Sequence, residues 1–110
     1  MTRLYRDLSG NGAGVDLFTA VSRSGTIAAA GVAQQLAPAN PSRRGIVFQN
    51  LSGTDLWVNI GGTAAVDTPG SIRIAAGDKT PLTDYSDSGR TGAVSIVGAT
   101  LGQKFTCVEE

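Results

Sequence analysis

Three places in this sequence hold residue types that could do chemistry: the single thiol Cys107, the acidic trio Asp78, Asp84 and Asp87, and the glycine-rich run Gly10-Asn11-Gly12-Ala13-Gly14. The chain contains no His. An imidazole base, a Ser-His-Asp or Cys-His pair and the usual zinc ligand sets are therefore all out of reach. A lone Cys cannot close an internal disulfide. Cys107 falls at an inward position of an alternating segment, where a free thiol behaves as a small hydrophobe; a reactive one needs an exposed, electropositive setting.

The acidic trio lies within ten residues, and an oxygen-rich loop can hold Ca²⁺. Its spacing does not match the EF-hand pattern, and a solvated loop is the simpler reading. The same carboxylates make a poor glycosidase pair, because sugar chemistry wants a cleft lined with stacking aromatics and Trp57 is the only Trp. The glycine run lacks both the preceding strand and the following Lys-Ser/Thr of a phosphate loop. It reads as a flexible arm. The sequence thus points away from an enzyme and implies no cofactor and no metal.

Nine basic residues balance nine acidic ones in 110 residues. Zero net charge gives no overall attraction to nucleic acid or to an anionic membrane surface, and Arg43-Arg44, the one adjacent basic pair, makes no nucleic-acid footprint. No apolar run approaches the roughly 20 residues of a membrane span, and Met1 to Asp7 lacks the pattern of a secretory leader. The expectation is synthesis in a reducing cytoplasm, with neither membrane nor direct nucleic-acid contact.

What must position any functional surface is a β fold. Glycine is abundant, with 15 residues, and branched aliphatics recur in short runs separated by turn signals, the pattern of a sandwich or small barrel. Thr26 to Ala30, Val32 to Leu36, Gly45 to Asn50, Leu56 to Ile60, Ser71 to Ile74, Ala93 to Val97 and Gln103 to Val108 read as strands. Leu51-Ser52-Gly53-Thr54 reads as a hairpin loop, and Lys79 to Arg90 as a long polar loop anchored by Leu82 and Tyr85. The expected core is Ile46, Phe48, Leu56, Val58, Ile60, Ile72, Ile74, Val94, Ile96 and Phe105. The fold expected is all-β: a small antiparallel β-sandwich or jelly-roll-like barrel over residues 25–110, with an extended N-terminal arm over 1–24.

Leu4, Tyr5, Leu8, Leu17 and Phe18 in the arm follow no sustained period, and they fit a segment held by a neighbouring subunit. Trp57 alternates against Leu56, Val58 and Ile60, so it faces away from the core. A subunit contact and a partly covered packing role both suit it. With Arg43 and Arg44, these residues form the expected interface set.

The order of segments Asn40-Pro41-Ser42-Arg43-Arg44-Gly45-Ile46-Val47-Phe48-Gln49-Asn50-Leu51-Ser52, Asp55-Leu56-Trp57-Val58-Asn59-Ile60-Gly61, Gly70-Ser71-Ile72-Arg73-Ile74-Ala75-Ala76-Gly77, Thr91-Gly92-Ala93-Val94-Ser95-Ile96-Val97-Gly98 and Gly102-Gln103-Lys104-Phe105-Thr106 resembles small β-rich virion structural proteins of tailed bacteriophages. The resemblance covers about residues 36 to 110 and is one of strands and turns. It implies a non-enzymatic decoration or cement protein on the capsid surface of the virion, assembled in the host cytoplasm. The implied partner is the major capsid protein, and the implied state a homo-oligomer around lattice axes. A head-tail connector, collar or tail component is the alternative within this class. A carbohydrate- or receptor-binding module is the alternative outside it, since β-sandwiches also host lectins.

Overall fold

A computed structural model describes residues 20–82 and 91–110, and these form two antiparallel sheets packed face to face. Nine strands are described: β1 Val21–Ser22, β2 Gly25–Thr26, β3 Gln34–Ala37, β4 Ile46–Asn50, β5 Leu56–Ile60, β6 Ile72–Ile74, β7 Lys79–Pro81, β8 Val94–Gly98 and β9 Lys104–Glu109. The first sheet runs β1/β2, β9, β4, β7, and the second runs β3, β8, β5, β6.

The pairing pattern has a simple origin. β5 pairs β6, β4 pairs β7, β3 pairs β8 and β2 pairs β9, all antiparallel. This is one long hairpin folded at the β5–β6 turn. The additional pairs β4 with β9 and β5 with β8 roll that hairpin into two sheets. The result is the jelly-roll strand order.

Alternation supplies the core. Ile46 and Phe48 of β4, Leu56 and Val58 of β5, Val94 and Ile96 of β8, and Phe105 and Cys107 of β9 point inward and are buried, joined by Ile27, Leu36, Ile74 and Leu82. Ile60 and Ile72, expected in the core, are only partly buried and pack at its margin. The rings of Phe48 and Phe105 stack with centroids 5.7 Å apart.

Several expectations are corrected. Residues 51–54 do not close a hairpin, because β4 and β5 belong to different sheets; they form an arch over one end of the sandwich. Thr26 to Ala30 does not continue as a strand. Ile27 turns inward with its N–H on the Gln103 carbonyl at 2.9 Å, and the Gln34 side chain captures Ala28 N–H and Thr26 C=O. Lys79–Pro81, assigned to a loop, pairs with β4 as β7. The arm boundary drawn at residue 24 also falls within the sheet, since Val21 and Ser22 pair with Glu109 and Val108.

Two polar side chains close the arch end. Buried Asn50 donates from Nδ2 to the Thr54 and Ile74 carbonyls (2.8 and 2.9 Å), and its Oδ1 accepts from Ser52 N–H at 2.8 Å. Buried Gln103 donates to Thr54 Oγ1 at 2.8 Å and the Asp55 carbonyl at 3.0 Å, and accepts from Thr100 N–H. The three arches β4–β5, β6–β7 and β8–β9 are thereby tied together. Gly98 sits beneath them without a side chain for a steric reason: a Cβ there would overlap Gln103 Oε1 and come within 2.8 Å of Leu56 Cδ2.

Candidate interaction surface

The ionic group at the opposite end of the sandwich is structural in its construction. Glu109 is 1% exposed. Strand alternation forces it inward behind Phe105 and Cys107, and a buried carboxylate requires partners. Arg43 Nε donates to Glu109 Oε2 and Arg23 Nε to Oε1, both at 2.7 Å. Arg43 also donates from Nη1 to the Gly92 carbonyl and from Nη2 to the Pro38 carbonyl, each at 2.7 Å. One guanidinium therefore joins β9, the β3–β4 connection and the approach to β8.

Arg43, expected in the interface set, has its side chain buried in this ionic group. Arg44 is exposed and lines an open polar depression with Pro41, Ser42, Arg43 and Thr91. Its N–H donates to the Glu110 carbonyl.

Burial alone would raise the Glu109 pKa, but the hydrogen bonds from Arg43 and Arg23 outweigh it and hold the carboxyl below its ordinary value. Cys107, two residues away on the same face, is pushed up to about 12, mainly by burial and secondarily by the Glu109 charge. It is a protonated packing residue, and it has none of the electropositive exposure a reactive thiol needs.

Asp84, Asp87 and Tyr85, and the arm residues Leu4, Tyr5, Leu8, Leu17 and Phe18 with the glycine run, lie outside the described residues. Asp78 is exposed at the β6–β7 arch. Among the described residues there is no group of three or more side chains that could hold a metal ion, and no helix long and apolar enough to cross a membrane.

The two outer faces of the sandwich differ in a way that bears on binding. On the second sheet, Trp57 is half-buried, in register between Arg73 and Val97. Val97 also points outward by alternation, yet it is 1% exposed, so this face is already covered over its apolar part. Arg73 lies 3.8 Å from the Asp55 carboxylate. Charge and apolar area on the Trp57 face are largely satisfied within the chain.

The outer face of the first sheet is the reverse. Val47, Gln49 and Leu51 project from β4 and its continuation, with Val47 46% and Leu51 52% exposed. The register sets Val108 and Pro81 on either side of Val47, places Thr106 and Lys79 on either side of Gln49, and brings Lys104 beside Leu51. Glu110, the next outward position after Val108, lies at the Val47 end of this face with Gly45 and Pro81. Sequence reasoning placed Ile46 and Phe48 in the core and did not single out this face. The signal was present in the alternation: with Ile46, Phe48 and Asn50 inward, Val47, Gln49 and Leu51 must point out.

No protein-family model matches the chain, and neither does any curated protein or solved structure.

Proposed function

We propose that this chain is a non-enzymatic structural protein of a bacteriophage virion, a decoration or cement protein that binds the major capsid protein lattice and stabilises it. The observation that carries this reading is the jelly-roll strand order, an architecture used by viral capsid domains. It joins the segment order over residues 36–110 that resembles virion proteins. The distribution of charge supports it as well. Among the described residues, Glu109 and buried Arg43 brace β9 and the loops around it, with Arg23 at their margin.

Such a protein acts as a staple. Each copy buries modest area on two or more lattice subunits, and the contacts sum over many copies. Fold alone does not fix function, so the assignment is tested by stoichiometry. Virions propagated from the genome that encodes this chain are purified and measured by quantitative mass spectrometry. A ratio to the major capsid protein of about one, or about one third, is expected for a lattice-bound protein. About one to several tens would move it to the portal, collar or tail axis. Absence from virions overturns the reading.

A further inference from the structure

We propose that the small groove formed by Val108, Val47 and Pro81 on the first sheet is filled by Leu17 and Phe18 of the same copy of the chain, which anchors the root of the N-terminal arm to the domain. The inference is independent of the virion reading. It rests on the groove, on where the described chain starts, and on the residues that come before it.

The groove is a short row across three strands. The register sets Val108 of β9, Val47 of β4 and Pro81 of β7 side by side, and Gly45, Ile46 and Glu110 complete the lining. Its volume is about 240 Å³. Small-molecule sites run from about 300 to about 1,000 Å³, so this one suits one or two side chains. Val47, at the middle of the row, is 46% exposed.

The described chain starts beside this groove. Val21 pairs with Glu109 and Ser22 with Val108, so β1 lies one strand spacing from Val108 and two from Val47, about 5 and about 10 Å. Ser22 shares the outward row of Val108. Alternation continued from Ser22 through Ala20 assigns Phe18 to the same outward side, and two residues of extended chain, about 7 Å, separate it from Ala20.

Composition selects the occupant. Two segments outside the described residues adjoin the groove: residues 1–19, which lead into Ala20, and residues 83–90, which follow Leu82. The first ends in the apolar pair Leu17-Phe18 and uncharged Thr19. The second has no aliphatic residue and one aromatic, Tyr85. Burial of apolar area drives such docking. A short tether also gives Leu17 and Phe18 an effective concentration at the groove that a separate molecule must match. Anchoring here fixes the point from which residues 1–16 leave the domain, which lowers the ordering cost of any contact they make.

The test uses the full chain and its variants in solution, read by methyl NMR and by urea unfolding. Phe18→Leu removes an aromatic ring from the groove, so the methyl resonances of Val47 and Val108 are expected to move while those of Val32, at the arch end, stay in place. Phe18→Ser should lower the urea midpoint in the wild-type background and have no further effect in a Val47→Ser background, because both substitutions remove one contact. Phe18 precedes β1, so its variants leave the described strand pairings intact.

Unmoved methyls of Val47 and Val108 overturn the proposal, and so do additive urea effects. Methyl shifts that vanish on dilution give the groove to the arm of a neighbouring copy and overturn it. Shifts produced by Tyr85→Leu and not by Phe18→Leu give the groove to residues 83–90, with the same result. Each of these outcomes leaves the virion reading to its own test by stoichiometry.

Discussion

At the scale of single residues, Glu109 carries more of this fold than any other charged group. It lies at the end of the central strand of the first sheet with a guanidinium on each carboxylate oxygen. Removing one partner of a buried ion pair leaves the other charge without compensation, at a cost of roughly 3 to 5 kcal/mol. Glu109→Gln is therefore expected to destabilise the domain by roughly 3 kcal/mol in urea unfolding, chiefly because Arg43 is fully buried. Replacing Arg43 by Met in the same chain should recover part of that loss, since a neutral pair no longer strands a charge.

The acid response follows from the same group. Its pKa is lower in the folded chain than in the unfolded one, so the folded state prefers the carboxylate. That contribution is complete above the ordinary carboxylate range and is lost as pH falls through the depressed folded value. Urea midpoints measured downward from pH 7 should fall more steeply for wild type than for Glu109→Gln. Cys107 acts at the other extreme. Its folded pKa of about 12 lies above the unfolded thiol value, so stability is lost as pH rises from the unfolded value towards 12. At pH 8 the native thiol should resist aromatic disulfide reagents and should react on unfolding.

At the scale of elements, the arches decide the topology. Gln103 and Asn50 bind three of them by side-chain amides, and the missing side chain at Gly98 makes room for Gln103. Gly98→Ala is expected to cost about 1 to 3 kcal/mol, the usual range for overpacking a filled site. Gln103→Ala should cost about 1 to 3 kcal/mol by leaving arch groups without their donor, and the two losses should not add, because both remove one arrangement. Thermal unfolding of the two single variants and the double variant checks this.

These elements also show what was legible in the sequence. Leu56 to Ile60 could be read outright, since its aliphatic residues alternate with Trp57 and Asn59. The partner of each strand could not, because period-2 alternation fixes a face and says nothing about which sheet receives it. The arch at 51–54 looked like a hairpin for that reason: Gly53 and the flanking strands serve either connection. Glu109 was within reach of the same logic. Continuing the alternation of Phe105 and Cys107 by one step puts a carboxylate inside and calls for a cation. Arg43 as that cation, 66 residues away in sequence, is information only the fold supplies.

At the scale of the whole molecule, the sheet edges matter. Each edge strand is short or interrupted. β6 has three residues, β7 ends in Pro81, β3 carries a register shift between Gln35 and Ala37, and β1 and β2 are separated by Arg23 and Ser24. Such edges resist strand addition from another chain, so association through a face suits this molecule better than association through an edge.

The β1/β2 edge nevertheless braces the fold. Ser24 Oγ accepts from Cys107 N–H at 3.0 Å, Arg23 N–H reaches the Cys107 carbonyl at 2.7 Å, and Arg23 supplies one of the two cations on Glu109. Residues 21–24 thus belong to the domain, and two truncations should separate by stability. A chain lacking residues 1–24 loses the β1 pairing, the Ser24 link and the Arg23 charge, whereas one lacking residues 1–19 keeps all three. With Arg23 about one-third exposed, its charge is worth less than that of Arg43. The longer deletion should nonetheless be less stable than the shorter by roughly 2 kcal/mol, the sum of a few lost backbone and charge-assisted hydrogen bonds. Equal urea midpoints for the two truncations would show that the β1 edge contributes nothing, and would return the domain boundary to residue 24.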